Sequence, residues 1–161
     1  MSGVRIRDGK LPDDAAIGRA FIMGLQQFEH ALEPDRRLDP PVAGEFLAVL
    51  AAKVAEQQGR VFIADDAQGK AIGWACCFID DNDVYVEAAQ RQFGLVSELF
   101  VVEEARAKGV GRALIAKCEA HFRALNLRTM MIGVLAKNDR ARRSYLAAGF
   151  RPYSELLHKA L

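Results

Sequence analysis

Residues 97–122 read SELFVVEEARAKGVGRALIAKCEAHF. The stretch begins as a strongly apolar strand of the kind found inside a sheet. It ends with Val110, Leu114, Cys118 and Phe122 at helical spacing, continued by Leu125, which places a helix up to about residue 125. Between strand and helix, ARAKGVGRAL (residues 105–114) sets two glycines and three basic residues at the helix head. A helix N-terminus carries unpaired main-chain N–H groups and the positive end of the helix dipole. Gly109 and Gly111 lack the Cβ atoms that would keep an anion away. Arg106, Lys108 and Arg112 add charge, so a phosphate or pyrophosphate is the natural guest.

Two familiar phosphate motifs do not fit. A P-loop needs Lys and then Ser or Thr after its second glycine, whereas Gly111 is followed by Arg112 and Ala113. A dinucleotide fingerprint needs a third glycine or alanine where Leu114 stands. Taken alone, a GxG pair can equally do no more than shape a strand-to-helix turn.

Outward from this stretch, VRIR (4–7) alternates as a half-buried strand, and Asp13 precedes a helical pattern running to about residue 32. After the turn-rich RLDPPVAG, the residues Phe46, Leu47, Leu50, Ala51 and Val54 mark a second helix that Gly59 stops. RVFIADD and AIGWACCFID read as strands joined by a hairpin at DAQGK. Residues 80–94 read as a loop with a short helical turn at most. Its acidic residues Asp80, Asp81, Asp83 and Glu87 would suit a cationic acceptor, or simply water. TMMIGV (129–134) reads as a strand, and NDRARRSYLAAG as a helix capped by Asn138 and stopped by Gly149. A final pairing segment is expected within FRPYSELLHKAL. Antiparallel pairing first and strand–helix alternation later make a mixed α/β domain over residues 1–161.

The 161 residues are 51% hydrophobic and 27% charged with a formal charge of +1, a globular balance with no field suited to nucleic acid or a membrane surface. No apolar run reaches the length of a membrane span or a signal peptide, and the expected location is the cytoplasm. Three cysteines, Cys76, Cys77 and Cys118, show no metal-ligand spacing, so reduced thiols and no metal are expected.

Arg106, Gly109 and Gly111, followed by Asn138, by Tyr145 seven residues on, and by Gly149 and Phe150, together resemble the two signatures of the GNAT superfamily of acyl-CoA-dependent N-acyltransferases. Two separated motifs in order and at the right distance are far more specific than either one. The resemblance is close over residues 95–152 and looser upstream. It implies a mixed, mainly antiparallel central sheet of six to seven strands flanked by about four helices, with a splayed central strand pair. It further implies acetyl-CoA as cosubstrate, its pyrophosphate on the amides of Arg106, Ala107, Lys108, Gly109, Val110, Gly111 and Arg112. The pantetheine arm would lie along the backbone of about Phe100, Val101 and Val102. Asn138 and Tyr145 would touch the coenzyme, and Arg140, beside Arg142 and Arg143, would reach its 3′-phosphate. Family members often form homodimers, which is the partner expectation alongside an amine acceptor.

Acetyl transfer to an amine needs a neutral nucleophile, and a lysine-like amine is only about 0.1% neutral near pH 7.4. Glu98 is the candidate base: strand alternation places it with Val96, Phe100 and Val102, apolar neighbours that raise a carboxyl pKa. A carboxylate paired with a nearby arginine is the competing reading. Tyr145, two helical turns from Asn138, would protonate the departing thiolate, as the resemblance implies. Cys118 falls on the apolar helix face and argues against an acyl-enzyme, leaving direct attack in a ternary complex. A non-catalytic acyl-CoA sensor, another acyl chain, or a hydroxyl acceptor are the alternatives.

Overall fold

The computed structural model describes residues 3–161. In chain order it contains β1 (Arg5–Gly9), α1 (Ala15–His30), α2 (Val42–Glu56), β2 (Arg60–Asp65), β3 (Ala71–Asp81), α3 (Ala88–Arg91), β4 (Gln92–Val101), α4 (Val110–Ala124), β5 (Met130–Ile132) and α5 (Asp139–Ala147). One 3-10 turn, Glu103–Ala105, links β4 to the glycine stretch. The strands form one sheet in the order β1-β2-β3-β4-β5, the first four antiparallel and β5 parallel to β4.

Alternation along the strands sorts their side chains onto two faces. Val61, Ile63, Trp74, Cys76 and Phe78 pack under α1 and α2 with Phe21, Leu47 and Leu50. Phe62, Ala64, Ala75, Cys77 and Val96 pack under α4 with Val110, Leu114, Cys118 and Phe122. All three cysteines are therefore free and buried, with Cys76 and Cys77 on opposite faces. Trp74 belongs to the core, stacked near Phe21 at 6.3 Å.

Local chemistry sets the boundaries. The β2–β3 hairpin turns at Gly69, φ +80°, while the Asp66 carboxylate accepts from the N–H groups of Gln68 and Lys70 at 2.9 Å each. Asp14, not Asp13, stands at the head of α1, and its carboxylate turns back to the Lys10 N–H (2.8 Å) and the Arg7 guanidinium. Arg7 also reaches the buried Asp65 at 2.8 Å, tying β1, β2 and α1 together. Asn138 does cap α5, its side-chain oxygen accepting from the Ala141 N–H at 3.1 Å.

Three expectations are corrected. The sheet has five strands rather than six to seven, and five helices flank it rather than about four. The missing strand is FRPYSELLHKAL: no strand forms after α5, and residues 151–161 are exposed throughout. Residues 80–94 are mostly not loop, because β3 runs to Asp81, α3 fills 88–91 and β4 begins at Gln92. The Arg91 guanidinium donates to the Val84 and Val86 carbonyls and closes the short turn that remains.

Close approach of α4 to β4 requires Gly94, where a Cβ would lie 2.3–2.4 Å from the Phe122 ring. Gly94→Ala should therefore destabilise by about 1–3 kcal/mol, read as a lower midpoint in urea unfolding.

Candidate active site

The site is built where β4 and β5 part. Their parallel pairing covers only Gly94–Met130, Leu95–Met131 and Val96–Ile132, after which β5 turns away at Gly133 and β4 continues to Val101. On its other side β4 stays paired with β3, but with one irregularity: Cys76 faces Glu98 and Cys77 faces Val96, so Ser97 is an extra residue. Such a bulge reverses the alternation beyond it. Val96 consequently packs under α4, whereas Glu98, opposite Cys76, and Phe100 face α1. This corrects the expectation that Val96 and Glu98 share a face. The apolar company of Glu98 is Cys76 and Phe100, with Phe21 stacked on Phe100 at 5.6 Å.

The gap between the diverging strands is a cleft of about 380 Å³, walled by β4, the glycine stretch, the loop after β5, α5 and the end of α1. Gly109 heads α4 with φ +83°, in the left-handed region that favours glycine. Ala107 is also left-handed, φ +59°. The first α4 bond runs from the Ala113 N–H to the Gly109 carbonyl, and among the described residues the six N–H groups of Ala107 to Arg112 have no hydrogen-bond partner. Six consecutive donors at the positive end of a 15-residue helix form an anion cradle. Gly111 has a different reason to be small. A Cβ there would meet only Val101 at 3.8 Å, so folding does not demand glycine; the space it leaves opens into the cleft.

Phe100, Val101, Arg106, Ala107, Gly109, Val110, Gly111, Arg112, Asn138, Arg140 and Tyr145 all line this cleft. Lys108, Arg142 and Arg143 do not line it, nor does Val102, whose N–H donates to the Ile72 carbonyl at 3.0 Å. Main-chain groups alternate sides along a strand, so Val101 and Leu99, rather than Phe100 and Val102, present theirs to the gap. Arg106 folds inward: its Nε donates to the Val101 carbonyl at 2.8 Å, and its guanidinium lies over the Phe28 and Phe100 rings at 5.3 and 5.8 Å. It pins the glycine stretch to the end of β4, while Arg112 and Arg140 also line the cleft.

Glu98 is 8% exposed. Burial, reinforced by the charge of Glu29, pushes its carboxyl up to about 8. Tyr145 is pushed up to about 12 by burial and by the charges of Glu29 and Glu98. Glu29 and Tyr145 line the cleft, whereas Glu98 does not and stays buried behind its β4 wall. Glu29 carries no local signal in QQFEHAL; only the packing of α1 on β4 delivers it, with Leu25 and Phe28, to the cleft wall. Gly24 allows that approach, since a Cβ there would sit 2.7 Å from the Phe100 ring. Arg36, in the segment after α1, donates to Glu29 at 3.0 Å and holds it in place. The arginine partner weighed for Glu98 belongs instead to Glu29. The acidic residues Asp80, Asp81, Asp83 and Glu87 do not line the cleft, because they sit beside the start of β4 while the cleft opens at its other end. Among the described residues no group of His, Cys, Asp or Glu is arranged to hold a metal, and no helix is long and apolar enough to cross a membrane.

A sheet parted at an inner bulge, with an amide cradle at the head of the next helix, is the scaffold of acetyl-CoA-dependent acetyltransferases. The chain belongs to the acetyltransferase (GNAT) family, whose family model matches residues 25–150. Members of this family use acetyl-CoA, and the six free amides with the open β4 edge fit a pyrophosphate and its extended arm. Among solved structures, a tetramutant of a Bacillus halodurans protein superposes with a TM-score of 0.83 at 21% identity, covering 98% of this chain and 99% of that one. AAC(6')-Iy, in complex with the bisubstrate analogue CoA-S-monomethyl-acetylneamine, gives 0.72 at 20% identity, covering 99% of each chain. An acetyl transferase candidate from Pyrococcus furiosus gives 0.72 at 17%, covering 98% and 99%. No curated protein sequence matches significantly.

Two outcomes follow from this geometry. Gly111→Ala should leave the melting temperature unchanged or slightly raised while weakening coenzyme A binding about tenfold, measured by calorimetric titration. For Glu98, the folded pKa lies above the unfolded value of 4.5, so its stabilising effect is complete below pH 4.5 and lost as pH rises through 8. Glu98→Gln, which cannot ionise, should melt several degrees above the parent at pH 9, with the difference shrinking towards pH 5.

Proposed function

We propose that the protein transfers the acetyl group of acetyl-CoA to a primary amine by direct attack within a ternary complex. The observation that carries this reading is that the amide cradle, Tyr145 and Glu29 line one cleft, with Glu98 buried on the strand behind its wall, between the lining residues Ser97 and Leu99. Glu29, held by Arg36, supplies negative charge at the cleft wall to receive an ammonium. A carboxyl with pKa about 8 is about one-fifth ionised near pH 7.4 and accepts the ammonium proton directly or through water. The neutral nitrogen attacks the thioester carbon, a C–N bond forms, and the carbonyl oxygen takes the charge. Collapse breaks the C–S bond; the nitrogen gives up the second proton that the amide does not keep, which restores the donor, and the thiolate recovers a proton to leave as coenzyme A thiol.

Tyr145 is the donor for that last proton. At about 12, its phenol is a poor acid for a thiolate whose conjugate thiol titrates near 8.5. Its pKa is high partly because Glu98 is negative. When Glu98 takes the amine proton that charge disappears, and the phenol becomes a stronger acid as the thiolate departs. We also infer a homodimer, supported by the exposed apolar side chains of residues 151–161.

A thiol-release assay with acetyl-CoA against peptides, polyamines, amino acids and aminoglycosides tests this reading, with acetyl, propionyl and succinyl donors compared. With an accepted amine, kcat should rise with pH through an apparent pKa near 8, as the base form of Glu98 accumulates. Glu98→Gln and Tyr145→Phe should each lower kcat about 100-fold with little change in the KM for acetyl-CoA. Coenzyme binding without turnover on any amine would make the protein a sensor instead.

A further inference from the structure

The cleft wall made by the loop after β5 and by α5 is loosely held. α5 is nine residues long and buries none of them. The main-chain hydrogen bonds of residues 134–150 stay within that segment, from Asn138 N–H to the Leu135 carbonyl at its start to Phe150 N–H and the Tyr145 carbonyl at its end. Among the described residues, the hydrogen bonds and ion pairs that tie the segment to the rest of the chain are all made by Lys137. Its ammonium donates to the Leu32 carbonyl at 3.1 Å and pairs with the Glu33 carboxylate at 3.1 Å. The other end of this bridge is firm. Leu32 and Glu33 both donate their N–H groups to the Glu29 carbonyl, at 2.9 and 2.8 Å, and close the last turn of α1. His30 Nδ1 meets the Arg36 carbonyl at 2.7 Å, and the Arg36 guanidinium returns to Glu29, so the following segment folds back on the helix. The Lys137 charge therefore sits at the negative end of the α1 dipole, where a cation is favoured.

We propose that Lys137 is a positioning residue for the transfer: by fastening the head of α5 to the end of α1, from one wall of the cleft to another, it sets the distance between Tyr145 and Glu29. This rests on the transfer reading above and names a residue that acts on its geometry. Each helix brings one of those side chains to the cleft, and the Tyr145 phenol feels the Glu29 charge. Glu29 lies about one helical turn before the Lys137 acceptors and Tyr145 about two turns beyond Lys137, so each helix carries a shift of the bridge to the site. With Lys137 62% and Glu33 35% exposed, the pair adds little to global stability. Its effect lies in placing a helix that packing does not fix. A displacement of about 1 Å between reacting groups is enough to slow turnover up to about 100-fold. An exposed ion pair is also screened by salt, which makes this wall responsive to ionic strength.

The test uses the full chain and two variants. Lys137→Met keeps the apolar stem and removes the charge and the donors, whereas Lys137→Arg keeps both. With acetyl-CoA and an accepted amine, Lys137→Met should lower kcat about tenfold and leave the KM for acetyl-CoA within about twofold, because the amide cradle belongs to α4. Lys137→Arg should recover most of that loss, and the urea midpoints of both variants should match the parent. Hydrogen exchange reads the anchor without any acceptor. In Lys137→Met the amides of α5 should exchange at least about tenfold faster while those of α4 do not change, and about 1 M salt should do the same to the parent. A fall in kcat with α5 exchange unchanged, or faster exchange with kcat unchanged, would overturn the positioning role. Absence of turnover on every amine would overturn the transfer reading and that role together, while faster α5 exchange would still keep the anchor between the helices. If Lys137→Met does not fold, the salt response of α5 in the parent decides the matter.

Discussion

Everything at the site depends on one extra residue in a strand. Ser97 has no opposite number on β3, and the phase of β4 reverses there. Before it, Val96 closes the α4 core; after it, Glu98 and Phe100 turn towards α1. Without the bulge Glu98 would sit beneath α4, out of reach of Glu29, and Phe100 would lose Phe21. The same irregularity lies where β5 leaves, so the strand that carries Glu98 also provides an open main-chain edge. A defect in pairing thus creates both the cleft and its chemistry.

The electrostatics follow from that arrangement. A carboxylate held among apolar neighbours with a second carboxylate nearby keeps its proton longer, and both charges hold up the phenol across the cleft. Opposing this acidic end is the amide cradle, positive without carrying a titratable group. The cleft is therefore polarised along its length, with unpaired amides at one end and the Glu29 carboxylate at the other. Arg106 belongs to the scaffold of this arrangement: its bond to the Val101 carbonyl and its stacking on Phe28 and Phe100 join α1, β4 and the cradle.

Much of this was legible in the chain. The strand, glycine turn and helix of residues 97–122, the hairpin at Gly69, the Asn138 cap and the burial of Cys118 all depend on contacts within a few residues. Glu98 and Tyr145 stand out by residue type and position. What could not be read was anything requiring a phase shift or a distant element. Simple alternation put Val96 beside Glu98 because a bulge leaves no composition signal. Glu29 looked like any charge on a helix until α1 docked on Phe100. FRPYSELLHKAL was expected to pair, yet no strand forms after α5 and residues 151–161 stay exposed.

The sequence by itself determined the anion cradle and the fold that displays it, because unpaired amides at a helix head follow from local backbone geometry and two glycines. Only the tertiary structure decided which carboxylates meet, which face Glu98 takes and which edge of the sheet stays open. Those outcomes turn on strand register and on long-range packing of α1 against β4, and neither is encoded within any short window of residues.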